Sequence, residues 1–220
     1  MNLLALDTTT EICSIALAVN GAIYEHSIAT HQGHSEHILN MINMLLAETE
    51  VSLSAIDLLA FGKGPGSFTG LRIGIGIAQG IAFARDIPAI PVSSLAAIAQ
   101  SHESKKSLVA IDARIGEVYW GVYEKEDSGL TILKENELVC SPQEAPYVQG
   151  DDWLGLGSGW RSYENQLATR FNKSVIGWNS ECYPKANAIA ALAVDIFAQG
   201  ISVTAEEILP TYIRNKVVRS

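Results

Sequence analysis

The sequence predicts an α/β protein with mixed sheets, built as two related halves. Three observations predict it. Short apolar runs of strand length stand between longer stretches with helical periodicity. An Asn20-Gly21 pair joins two apolar segments, the strongest short-range hairpin signal. After a polar stretch at residues 101–107, the succession of strand, hairpin and helices starts again.

The elements follow in order. Leu3–Asp7 reads as a buried strand, and Ile12–Val19 with Ala22–Ala29 as the two arms of the hairpin. Residues 35–49 read as a helix, with Ser35 as its N-cap and the charge of Glu36 favourable in the first turn. A strand at 56–62 leads through a glycine loop into a helix at Phe68–Arg85. A short strand at 88–92 and a helix at Ser94–Gln100 complete the first half. Beyond Ser101-His102-Glu103-Ser104-Lys105-Lys106-Ser107, strands are expected at 108–113, 117–123 and 130–137, with Asp127-Ser128-Gly129 as a turn. Helices are expected at 160–171 and 186–199, and the polar break sets the expected lobes at 1–104 and 105–220.

Composition narrows the function classes. With 48% hydrophobic and 18% charged residues in 220, the chain is globular and long enough to bury a substantial core. The longest apolar runs break well short of a membrane span. The N-terminus opens directly on a strand pattern without a basic region or cleavage site, so a cytoplasmic location is expected. Cys13, Cys140 and Cys182 are odd in number and lack metal-type spacing, which suits reduced thiols. A net charge of −9, with only Arg214, Lys216 and Arg219 clustered among the cations, disfavours direct binding to a polyanion.

The most informative segment is Gly62-Lys63-Gly64-Pro65-Gly66-Ser67-Phe68-Thr69-Gly70-Leu71-Arg72-Ile73-Gly74. The helix it opens carries Gly70, Gly74, Gly76 and Gly80. At about 1 kcal/mol each, these glycines cost roughly 3–4 kcal/mol, recovered where another backbone approaches closely. Its polar residues Thr69, Arg72 and Gln79 fall in one thin stripe at positions 69, 72, 76 and 79. In the preceding helix, Ile38, Leu39, Met41, Ile42, Met44, Leu45 and Leu46 cover more arc than one core-facing stripe needs. Such an arc fits a docking helix, where methionine repacks readily, and equally a fully internal one. The glycine loop is not a P-loop: Lys63 lies on the wrong side of the last glycine and Pro65 removes a donor. His31, His34 and His37 cluster without a clear third metal ligand, and Ser67 and Ser158 miss the nucleophile-elbow spacing.

The glycine segment, with Leu4-Ala5-Leu6-Asp7-Thr8-Thr9-Thr10-Glu11-Ile12-Cys13-Ser14, resembles the TsaB family, also called YeaZ. Ile90-Pro91-Val92-Ser93-Ser94-Leu95, Ile111-Asp112-Ala113-Arg114-Ile115-Gly116-Glu117-Val118-Tyr119 and Pro210-Thr211-Tyr212-Ile213-Arg214 extend the match to the tail. The resemblance implies the two-lobed actin, hexokinase and heat-shock-chaperone fold. It also implies a non-catalytic subunit of the machinery that places threonylcarbamoyl on the adenosine beside the anticodon, in tRNAs reading codons that begin with A. The catalytic subunit would be a TsaD paralogue, with an ATP-hydrolysing TsaE-like third subunit and tRNA met mainly through the complex. In the family the two helices dock on their equivalents in TsaD, or on a second copy as a homodimer. The partner-facing residues implied here are Ile38, Met41, Ile42, Leu45, Gly70, Ile73, Gly74 and Ile77.

Within that superfamily, Asp7-Thr8-Thr9-Thr10 falls at the first phosphate loop, and Asp112-Ala113-Arg114 opens the second half similarly. Neither has the early glycine such loops favour, so Asp7, Thr8, Thr9 and Asp112 read as vestiges of a nucleotide site, or Asp7 as a strand-end cap. Gly155-Leu156-Gly157-Ser158-Gly159 reads as an adenosine-side loop or a plain turn. Where the catalytic paralogues carry two metal-binding histidines one helical turn apart, this chain has Ser94 and Ile98. No cofactor or metal is expected. The rival readings are a small kinase or ATPase of the same superfamily, and a peptidase.

Overall fold

The computed structural model describes residues 1–30 and 33–213. His31, Arg214, Lys216 and Arg219 lie outside the described residues. The chain divides into two compact units, one holding Met1–Ala97 with Pro184–Thr211, the other Ile98–Tyr183 with Tyr212 and Ile213.

The first unit is a five-stranded sheet built from β1 (Leu3–Asp7), β2 (Ile12–Val19), β3 (Ala22–Ala29), β4 (Leu58–Gly62) and β5 (Ala89–Val92). Its order is β3-β2-β1-β4-β5, antiparallel through the hairpin and parallel from β1 to β5. The left-handed Asn20-Gly21 turn (φ 52 and 81) closes the hairpin with the expected arms. On one face, Leu4, Leu6, Cys13, Ile15, Leu17, Leu59 and Phe61 pack with α1 (His34–Glu48) and α2 (Phe68–Arg85). Alternate strand residues point to the other face. There Leu3, Ala5, Ala16, Leu58 and Ala60 are fully buried, and α6 (Ala186–Ala198) covers the sheet. Helices on both faces explain why β1 and β4 read as unbroken apolar runs.

The second unit repeats this plan. Its strands are β6 (Lys106–Arg114), β7 (Glu117–Lys125), β8 (Thr131–Leu133), β9 (Leu138–Cys140), β10 (Trp153–Leu156) and β11 (Val175–Asn179). The sheet order is β11-β10-β6-β7-β8, with β9 also on β7. Read from its other edge, this order repeats the first sheet with the same parallel and antiparallel pairings. The two related halves therefore exist. The core is aromatic: Trp120 stacks on Phe171 at 5.1 Å, and the indole of Trp160 donates to the Leu108 carbonyl at 2.9 Å.

Several elements differ from their expectations. The first helix starts at His34 with Gly33 (φ 98) as its N-cap, so Ser35 is already helical and does not cap. The helix expected at 160–171 is broken into α4 (Gly159–Ser162) and α5 (Glu164–Arg170) at Tyr163, whose hydroxyl is drawn to Asp112 at 3.1 Å. Strands β9, β10 and β11 are too short or too glycine-interrupted to stand out by periodicity. α3 (Ser94–Gln100) forms as expected.

Residues 184–211 pack with the first unit, whereas the polar break at 101–107 points to two continuous lobes. The physical reason lies in the start of α6. Ala186 N–H donates to Ser14 Oγ at 2.9 Å and Asn187 N–H to Glu25 Oε1 at 3.4 Å, while Ser14 Oγ donates to the same carboxylate oxygen at 3.1 Å. Two residues of the distant hairpin thus cap the last helix, with an anion at the positive end of its dipole. Glu25→Ala should remove this cap at a cost of about 1 kcal/mol, read as a lower urea midpoint with an unchanged slope.

Candidate functional site

At the end of β1 the chain turns through Thr8, Thr9 and Thr10, all buried. Asp7 Oδ1 accepts from the Thr9 N–H and the Thr9 hydroxyl, each at 2.8 Å, and the Thr9 hydroxyl lies 2.9 Å from Ser94 Oγ. The next layer is the glycine segment. Ser67 N–H donates to the Thr9 carbonyl at 2.7 Å, and Thr8 Oγ1 donates to the Gly70 carbonyl at 2.6 Å. Any Cβ at Gly62 would strike the Asp7 carboxylate; at Gly66, the Thr9 carbonyl; at Gly70, the Thr8 carbonyl. At Gly74 it would lie 2.5 Å from Thr8 Oγ1. The start of α2 is therefore seated on this turn, and the turn's carbonyl oxygens face the helix. An anion placed there would meet oxygen acceptors, not the N–H cradle that phosphate needs.

Burial pushes the Asp7 carboxyl up to about 7, against the lowering pull of its bonds from Thr9 and Ser94. Asp112, the corresponding residue of the second unit, has its own set of partners. It accepts from Arg114 N–H at 2.8 Å, Ser162 Oγ at 3.0 Å and Tyr163 OH at 3.1 Å, and so ties the β6–β7 hairpin to α4. Gly157 and Gly159 press against Ala110, their Cβ positions 2.6 Å and 2.8 Å from its carbonyl oxygen and Cβ, so that segment is a packed turn. Ser94 and Ile98 are buried, Ser94 in the Asp7 network. His34 is buried at the start of α1, bonded to the Thr10 backbone, and its burial holds the imidazole below its ordinary pKa. Among the described residues no three His, Cys, Asp or Glu side chains converge as a metal site.

The docking residues expected from sequence are distributed differently. Ile38, Met41, Ile42 and Leu45 face the chain's own core, and none exposes more than 6% of its surface. Gly70 and Gly74 contact the Thr8 turn, and Ile73 and Ile77 lie half-buried on the flank of α2. What points outward is a different set. Gly76 and Gly80 have open space where a Cβ would stand. Leu39 and Met44 on α1 and Phe83 on α2 expose 52%, 60% and 72% of their surfaces. Because α1 and α2 cover the same sheet face, their outward residues share one side of this unit. Position 76 already belonged to the polar stripe of 69, 72 and 79, and that stripe is the signal that separates the outward glycines from the inward pair.

The repeated mixed sheet, covered by helices in the first unit, defines the actin, hexokinase and heat-shock-chaperone class of α/β proteins. The family model "TsaD: tRNA N6-adenosine threonylcarbamoyltransferase" matches residues 27–217. The chain is 38% identical to the tRNA threonylcarbamoyladenosine biosynthesis protein TsaB of Escherichia coli K12, over 99% of this chain and 96% of that protein. It is 39% identical to the protein of the same description from Haemophilus influenzae, over 99% and 95%. The solved structure of YeaZ from Pseudomonas aeruginosa superposes with a TM-score of 0.87 at 40% identity, covering 96% of this chain and 99% of that one. The chain belongs to the TsaB family, also called YeaZ.

Two measurements separate the inner and outer features of this site. Gly76→Ala should stabilise the isolated chain by about 1 kcal/mol, since it fills open space on a helix. Gly70→Ala should destabilise it, because its methyl meets a backbone carbonyl; urea titrations of the two variants should move in opposite directions. Asp7 binds a proton more tightly folded than unfolded, so its contribution is fully present below about pH 4 and is lost as pH rises to about 7. Asp7→Asn should therefore gain on the wild type as pH rises from about 4 to about 7, by on the order of 4 kcal/mol at most. A stability gap that stays flat with pH would contradict a protonated Asp7.

Proposed function

We propose that this chain is an accessory subunit in tRNA threonylcarbamoyladenosine biosynthesis, and that it acts by docking the outer face of α1 and α2 on a TsaD-type catalytic subunit. The modified base is the adenosine beside the anticodon, in tRNAs reading codons that begin with A. The observation that carries the docking surface is the pair Gly76 and Gly80: two glycines in the middle of an exposed helix face, with no atom of the described residues within 4 Å of where a Cβ would stand. Alanine would serve an unvisited face better by about 1 kcal/mol per position. Close approach of a second helix gives glycine its use, as small residues do wherever backbones pack closely. Leu39, Met44 and Phe83 supply apolar area around that line.

Catalysis in this reading belongs to the partner. Isoleucine at position 98 has no metal-binding atom, and the Asp7 turn is covered by α2. That cover also weighs against the kinase or ATPase alternative. The net charge of −9 supports tRNA being held mainly by the complex. The contribution of this chain is differential affinity: docking that favours a competent partner state by about 1.4 kcal/mol shifts that equilibrium tenfold. The same face would close a homodimer when the partner is absent, and a TsaE-like ATPase completes the complex in the cytoplasm. Among the described residues no helix is long and apolar enough to cross a membrane.

Gly80→Leu places a side chain in the contact line without touching the core. It should keep the wild-type melting temperature, yet lose co-purification with the TsaD subunit of the same organism and lose stimulation of tRNA modification. Wild-type concentration dependence from this variant would refute the surface.

A further inference from the structure

The outer face of α2 continues past its glycines. Gly76, Gly80 and Phe83 are spaced i, i+4 and i+7, so Phe83 stands on the same face a turn further on. Just beyond it α2 ends at Asp86, in the left-handed region at φ 52. Phe83 and Asp86 line an open cleft of about 370 Å³ together with Ile87, Val203, Thr204 and Glu206, all within the first unit. From Gly80 to Asp86 is six residues of helix, about 9 Å, so the cleft adjoins the proposed contact line.

The charge of this cleft has one sign. Asp86 and Glu206 are exposed, and neither forms an ion pair among the described residues. Hydrogen bonds from its own backbone N–H and from Thr204 hold the Glu206 carboxyl below its ordinary range, which keeps it ionised. The nearest cation in sequence, Arg85, turns away and donates to the Ser54 carbonyl at 2.7 Å. The C-terminal end of the α2 dipole adds further negative potential. Beside these groups Phe83 presents an open aromatic ring, a surface for the methylene stem and cation of a long basic side chain. The same potential repels RNA.

We propose that the cleft receives a lysine or arginine side chain of the docked partner, its stem against Phe83 and its cation between Asp86 and Glu206. The proposal rests on the docking reading above and names a charge that the partner surface must carry. A pair at the rim of an interface acts on association rate, salt dependence and choice of partner more than on buried area. The cleft therefore distinguishes a cognate helix from one that merely fits the glycines.

The test titrates the TsaD subunit of the same organism against the full chain at low and at high salt. The double variant Asp86→Asn, Glu206→Gln keeps side-chain size, and asparagine tolerates the left-handed backbone at position 86. It should raise Kd about tenfold at low salt and flatten the salt dependence. Phe83→Ala should weaken binding at both salt levels, and both variants should melt with the wild type. Unchanged Kd and salt dependence in the double variant, with Gly80→Leu still abolishing binding, overturns the cleft and leaves the docking face standing. Wild-type binding by Gly80→Leu removes the docking face and the cleft with it.

Discussion

The seating of α2 on the Thr8–Thr9 turn is the contact on which the rest of the first unit depends. Hydrogen bonds join Thr8 to Gly70 and Ser67 to Thr9, and two glycines, Gly66 and Gly70, bring the start of the helix within backbone contact of the turn. No side chain fits between them. This contact sets the depth and rotation of α2 on the sheet, and rotation decides which residues the helix shows to the outside. It also turns the carbonyls of a loop that binds phosphate in related folds toward the protein's own helix, and the burial of Asp7 beside it pushes that carboxyl up to about 7.

Two kinds of glycine therefore share one helix. Gly70 and Gly74 recover their conformational cost inside the chain, through the turn they admit. Gly76 and Gly80 recover nothing inside the chain. Their cost is a stability deficit that binding would offset, the pattern expected where function and stability pull on the same residues. The neighbouring exposed Met44 and Phe83 fit that division, since both would be unfavourable on a surface that always faces water.

The second unit shows how the same plan is stabilised without such a turn. Asp112 stands where Asp7 stands in the repeated sheet order, yet it is bonded to Arg114, Ser162 and Tyr163 and serves as a brace for a hairpin. Tryptophans take over the core, with the Trp160 ring laid over Gly155, where any Cβ would collide with it. The repeated topology is retained while the contacts that hold it diverge.

The sequence by itself determined the strands of the first sheet, the Asn20-Gly21 hairpin, the extent of α2 and the duplication. Each is written in local signals: short apolar runs of strand length, a dipeptide that accepts positive φ, a helical period. It also carried the family, through motifs spread along the whole chain. Periodicity says which residues share a helix face. It does not say which face is inward when both are apolar or small, and so Ile38, Met41, Ile42 and Leu45 read equally as interface or as core. Only the tertiary structure decided that, by burying these four residues of α1 in the core that includes Leu4, Leu6, Ile15 and Leu17 of the sheet. It decided as well that α6 belongs with the first sheet, because its cap comes from Ser14 and Glu25, residues too distant along the chain for any local pattern to connect.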